Sequence, residues 1–172
     1  MRMLIALAPI FMSDCNIQEN MGEGGMVRFR VQADPVAQGR PRLTTIGGMA
    51  RAFDPKKSRE WKSFIKDVAL KSMEDAGHTK PLQGPLCARI RFGFALPKSA
   101  HRKRRPVGRS WHTKRPDIDN LIKGIFDACE SVIYINDTCI AKVVVDKIEC
   151  AQGEAPFSRI SFEEIEDLSA SS

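Results

Sequence analysis

A chain of 172 residues, 42% apolar and 28% charged, with a formal net charge of +6, is long enough to bury roughly two thirds of its unfolded surface in one core. This composition excludes collagen-like, low-complexity and intrinsically disordered chains, and with no stretch near ~18 apolar residues there is no membrane span. The five cysteines, at 15, 87, 129, 139 and 150, are dispersed and contain no CxxC pair, so they read as small core residues of a reducing compartment, not as disulfides or zinc ligands.

The charge is unevenly placed. Residues 1–25 sum to −2 and residues 151–172 to −4, leaving +12 on residues 26–150, and such a middle supports contact with a polyanion. The opening MRMLIALAPIFM lacks a convincing small-residue cleavage site and is not read as a secretory signal. Residues 1–25 are expected to be a poorly ordered extension or an upstream start, followed by a domain over 26–166 and a flexible tail over 167–172.

In chain order, Val27, Phe29, Val31 and Ala33 alternate with Arg28, Arg30 and Gln32, which predicts a half-buried first strand. DPVAQGRPRLTTIGG follows and reads as an exposed basic loop presenting Arg40 and Arg42 to phosphate, or as a plain solvated connection. Asp54-Pro55 and Gly77 bracket a helix from 55 to 76, with Asp54 as N-cap. Its core face is expected to hold Trp61, Phe64, Ile65, Val68 and Met73. Leu86, Ala88, Ile90, Phe92, Phe94 and Leu96 then alternate as a second strand.

The segment from Pro97 to Arg115 contains Lys98, Arg102, Lys103, Arg104, Arg105, Arg109, Lys114 and Arg115 and no acid. Such a run repels itself unless an anion neutralises it, so it is read as a DNA-backbone clamp; a mobile surface loop and, for HRKRR alone, a nuclear-localisation signal are the rival readings. Trp111 and His112 either stack or hydrogen-bond within the clamp, or Trp111 packs the loop onto the body. The three histidines, at 78, 101 and 112, lack metal-ligand spacing.

Ile118, Leu121, Ile122, Ile125, Phe126 and Cys129 form a helical stripe over 118–130, with Asp119, Lys123 and Asp127 along the opposite side at i, i+4 and i+8. Asp117 precedes the first turn, where carboxylates gain from the helix dipole. Either aspartate could simply cap the helix. Paired carboxylates are equally the oxygen donors that a hard divalent cation takes together with water and phosphate oxygens. Asn136-Asp137 reads as a turn folding back over the helix N-terminus, followed by strands over 139–148 and 157–164, with Asp146 a lesser acidic candidate.

Taken together and in this order, GRPR, the helix start DPKKSREWK, the segment PDIDNLIKGIFDA and the downstream ND turn resemble the RusA family of Holliday junction resolvases over residues 27–164. The resemblance implies a small α/β domain with a mixed sheet packed against helices. It also implies a homodimer that resolves four-way DNA junctions by paired nicks in recombination and repair, using Mg²⁺; replacement by Mn²⁺ is left open. On this reading Asp117, Asp119 and Asp137 are the catalytic metal-binding carboxylates and Lys123 is the motif lysine. The basic contacts are Arg40, Arg42, Arg102, Lys103, Arg104, Arg105, Arg109, Lys114 and Arg115. The implied location is the cytoplasm of a bacterium or a phage-infected host. Many family members have two adjacent acids where this chain has Asn136-Asp137, and residues 1–25 have no counterpart. The rival functions are a flap or other branched-DNA nuclease with the same metal site, and a catalytically silent DNA-binding module.

Overall fold

The alternating segments pair into one sheet. The computed structural model describes residues 25–40, 42–46 and 49–166, with side chains left aside for 42–46 and 49–53; the expected extension before Gly25 and the expected tail lie outside the described residues. The elements are β1 (Met26–Val31), β2 (Arg42–Ile46), β3 (Met49–Phe53), α1 (Lys56–Asp75), β4 (Leu86–Phe94), β5 (Ser110–Trp111), α2 (Ile118–Cys129), β6 (Ile140–Glu149) and β7 (Phe157–Glu164). Five strands form a mixed sheet in the order β1-β7-β4-β6-β5, and β2-β3 form a separate hairpin. Only β4 and β6 run parallel within the five-stranded sheet. A parallel pair requires a crossover, and the chain supplies it through β5 and α2.

Both helices pack on one face. Trp61, Ile65, Ala69 and Met73 of α1 and Leu121, Ile125 and Ala128 of α2 share a core with Val27, Phe29, Val31, Ala88, Ile90, Phe92, Ile160 and Phe162. Burial of each large apolar side chain contributes about 1.5–3 kcal/mol. Tyr134 lies fully buried beneath α2 and donates its hydroxyl to the Phe126 carbonyl at 2.9 Å, as a buried phenol requires.

The helix boundaries follow their end signals, with two local differences. The expected Asp54 cap is not formed: Pro55 occupies the N-cap position without a side-chain bond, because the Asp54 carboxylate binds Lys62 instead. Lys62 also reaches Asp127, linking α1 to α2. At the other end, Gly77 has φ +76°, and the Gly77 and His78 amides donate to the Glu74 and Met73 carbonyls at 2.9 Å each, closing the helix in the doubly bonded pattern that glycine favours. Phe64, expected in the core, is 45% exposed; it meets Trp61 edge-on at 6.3 Å, while the core face rotates onto Ser58 and Ala69. The segment read as a basic loop instead enters a hairpin, with Ile46 opposite Met49. The signal was Gly-Gly between residues that favour strands, TTI and MARAF.

One glycine in β4 is required by packing. A methyl at Gly93 would lie 2.5 Å from the Phe157 ring and 2.9 Å from Cys150 Sγ. Gly93→Ala is therefore expected to destabilise the fold by about 1–3 kcal/mol through overpacking, read as a lower urea midpoint with an unchanged slope. An unshifted midpoint would contradict this packing. Cys87, Cys129 and Cys150 are buried and unpaired, and Cys139 is partly buried; burial pushes the Cys150 thiol up to about 11. This agrees with their reading as core residues.

Candidate active site

The N-terminus of α2 is held by three chain segments. Lys147 on β6 donates to the Lys114 and Pro116 carbonyls at 2.8 and 2.6 Å. The Gln38 amide donates to the Asn120 carbonyl at 2.8 Å. Ser58 ties the Gln38 segment to α1, accepting from the Gly39 amide at 3.0 Å and donating to the Ala37 carbonyl at 3.3 Å. Asp54 joins this anchor: bonds from Lys62 and then Gln38 hold its carboxyl below the usual range. Sequence reasoning missed both Gln38 and Lys147. Gln38 stood within the basic loop, whereas Lys147 had no signal beyond a charge near the end of an apolar strand.

A cleft is thereby formed from Ala37, Gln38, Arg40, Arg115, Pro116, Asp117 and Asn120. Asp117 occupies the N-cap position in extended conformation, yet its side chain makes no capping hydrogen bond. Asp119 is the acid of the first turn, exposed, and accepts from the Asn120 amide at 3.4 Å. The capping alternative therefore does not account for either carboxylate. Both stand at the positive end of the helix dipole, and exposed Arg40 and Arg115 line the cleft with Asp117. Lys123 is exposed one turn further along α2.

The structure does not bring Asp137 to this pair within one chain. Asp137 begins a short 3₁₀ turn just ahead of β6, whose start pairs with the start of β4. The end of β6 instead reaches Pro116 through Lys147. α2 runs opposite to β6, so its 12 residues, about 18 Å of helix at 1.5 Å per residue, separate its N-terminus from the Asp137 end. The expected fold-back over the helix N-terminus is corrected accordingly: the parallel β4–β6 pairing sends the turn to the opposite end. Among the described residues, no three His, Cys, Asp or Glu side chains converge as a metal-binding group. Asp146, the lesser acidic candidate, is held by Arg91 through two bonds of 2.9 and 2.6 Å.

The basic loop is tied down at its base and projects at its tip. Gln152 accepts from the Arg102 amide at 2.8 Å and donates to the Arg102 carbonyl at 3.1 Å. Arg109 binds Glu154 in a fork of 3.0 and 2.6 Å, and Lys114 lies 3.6 Å from Glu149. Arg102, Lys103, Arg104, Arg105 and Arg115 are exposed, while the Arg42 side chain lies outside the described residues. His112 stacks on Phe94 at 4.2 Å, whereas Trp111 remains 71% exposed. The expected packing of the loop onto the body by Trp111 is corrected: His112 does it, through its stack on Phe94.

The Arg109 fork, followed by the Ala151 amide, holds the Glu154 carboxyl below its ordinary value of 4.5. A depressed folded-state pKa gives stability that is fully present above the ordinary value and is lost as pH falls from there through the lower folded-state value. Acidification below pH 4.5 is expected to loosen the loop, seen as a lower hydrogen-exchange protection factor, relative to the intrinsic rate at each pH, at the Gln152 amide, which donates to Val107. Glu154→Gln should exchange faster already at neutral pH and lose the acid dependence; wild-type protection with no such dependence would sever the fork from loop order.

Comparison with known proteins places these features in context. The family described as Endodeoxyribonuclease RusA matches residues 32–155. The chain is also similar to the uncharacterized protein YqaN of Bacillus subtilis (strain 168), with 30% identity over 126 residues, covering 70% of this chain and 86% of that protein. No helix among the described residues is long and apolar enough to cross a membrane.

Proposed function

The chain belongs to the RusA endodeoxyribonuclease family, and on that premise we propose that it is a Mg²⁺-dependent homodimeric nuclease that resolves four-way DNA junctions by paired nicks. The observation that carries this reading is the pair Asp117 and Asp119, set at a helix N-terminus without a capping bond, with Arg40 and Arg115 lining the cleft beside Asp117. Mg²⁺ is commonly held by one or two carboxylates with water and phosphate oxygens, and these two side chains fit that donor set. When bound, the ion supplies an acidified water and neutralises charge developing on the scissile phosphate.

The protein's own groups do the positioning. Arg40 and Arg115 offer planar donors suited to phosphate oxygens. Lys123 adds positive charge along the same helix, where developing phosphate charge is stabilised. The exposed Arg102–Arg105 tip holds the backbone of an arm, an interaction that weakens with salt as counterions compete. DNA in the cytoplasm of a bacterium or a phage-infected cell is the matching substrate.

Dimerisation accounts for Asp137. β5 covers β6 only at Ile148 and Glu149, so the outer edge from Ile140 to Asp146 has no strand partner among the described residues. Ala141, Lys142 and Val143 are exposed on it, and open edges of this kind invite pairing. Antiparallel pairing of two copies about this stretch sets the start of each β6 against the end of the other. The partner's Asp137 then approaches the Asp117–Asp119 pair, and two such sites arise from one isologous contact, matching a junction that needs two nicks.

Cleavage of an end-labelled synthetic four-way junction, with Mg²⁺, with Mn²⁺ and with EDTA, tests the reading. Symmetric nicks with metal and none with EDTA support it. Faster cutting of flaps or forks would transfer the protein to a related branched-DNA nuclease, and binding without nicks would make it a silent DNA-binding module.

A further inference from the structure

The sheet face opposite the helices is lined with arginines. Strand register places Arg30, Arg159, Arg91 and Asp146 in one row, and Arg28, Ser161, Arg89 and Val144 in the next. Residues directly opposite one another share a face. With Lys142 and Glu163 in the row beyond, these rows of described residues hold six cations and two acids. Asp146 holds Arg91 and Glu163 holds Arg89 at 2.6 and 2.7 Å. The guanidinium carbons of Arg30, Arg109 and Arg159 lie 4.4, 5.9 and 5.6 Å from the Phe157 ring centroid. The Arg159 guanidinium is pushed below its ordinary range, first by burial and then by Arg30, Arg91, Arg109 and Arg28.

Such a concentration of like charge attracts an anion and repels a second copy of itself. The remaining row on this face runs Phe157, Gly93, Ile148, Trp111, and it ends in the 71% exposed indole. Trp111 leads into the segment that enters α2. An exposed aromatic beside arginines is the combination that holds nucleic acid strands, with the charges on phosphates and the ring against a base. A base in intact duplex has no free face, whereas a base at a branch point can be unstacked.

We propose that this sheet face is a second DNA-contact surface, on which Arg30 and Arg159 hold the backbone of one arm while Trp111 stacks on a base unpaired at the branch. It rests on the junction reading above and adds to it a surface that distinguishes a branch from plain duplex.

The test uses full-length Asp119→Asn protein, which is expected to hold DNA without cutting it, titrated with a four-way junction and with a duplex of the same arm sequence. Trp61 is buried at 6% exposure and serves as a silent background for tryptophan fluorescence. The junction is expected to quench Trp111 and the duplex to leave it unchanged. Adding Trp111→Ala should abolish the quenching and weaken junction binding roughly tenfold with no change in duplex affinity, and Trp111→Phe should restore the affinity. Arg30→Gln with Arg159→Gln should weaken both substrates and flatten the salt dependence. Equal junction affinity in Trp111→Ala and its parent, with no quenching in the parent, would overturn the proposal even if wild-type protein nicks junctions. A change in mass on Trp111→Ala would overturn it in favour of a protein interface. If neither wild-type nor Asp119→Asn protein binds or cuts DNA, the nuclease reading fails with it.

Discussion

Asp119→Asn is expected to lower junction nicking by roughly a thousandfold, since a carboxylate that helps to hold a catalytic cation supports several kcal/mol of transition-state stabilisation, at about 1.4 kcal/mol per tenfold in rate. The substitution keeps the side-chain shape and removes the charge. Asp119 is exposed and in the first turn of a helix whose N-cap side chain makes no capping bond, so thermal stability should change little. Junction binding through Arg40, Arg115 and the loop tip should persist. Single-turnover cleavage of labelled junction, beside a gel-shift titration, separates the two effects. Near-native cleavage would remove Asp119 from the site; loss of binding together with cleavage would assign it a DNA-contact role.

Mixing two inactive variants is expected to restore nicking. If each site takes Asp117 and Asp119 from one chain and Asp137 from the other, Asp119→Asn and Asp137→Asn homodimers are both inactive. A mixed dimer retains one intact site. Random reassortment makes about half of the dimers mixed, so about a quarter of all sites recover, and these dimers nick one strand without resolving the junction. Sites built within one chain recover nothing on mixing. Val143→Asp, at the exposed middle of β6, should lower the mass in light scattering from about twice 19.2 kDa to 19.2 kDa and abolish cleavage by both routes. A dimer that survives Val143→Asp unchanged would place the interface elsewhere.

The elements that the sequence predicts best are those whose periodicity is enforced by burial on one side. β1 shows strict alternation of exposed and buried residues, and β7 occupies the predicted residues 157–164. The α2 stripe is legible because its apolar residues recur at helical spacing against a polar side that carries the motif aspartates. The β2–β3 hairpin is not read from the sequence because its arginines and glycines resemble a solvated loop when taken singly. The position of Phe64 also escapes, since helical spacing brings it near the core face but only packing determines whether a ring at the margin is covered.

Local chemistry thus determined that this chain is a small α/β protein with a basic middle and two aspartates at the start of a helix, because alternation, helix-end signals and charge are properties of neighbouring residues. Tertiary structure alone decided what those aspartates are joined to. The parallel pairing of β4 with β6 puts Lys147 beneath Pro116 and carries Asp137 to the far end of α2. Register across four strands gathers arginines from β1, β4 and β7 onto one face. Both outcomes depend on which strands become neighbours, and that is settled by the burial of a shared core across residues distant in the chain, which no local pattern encodes.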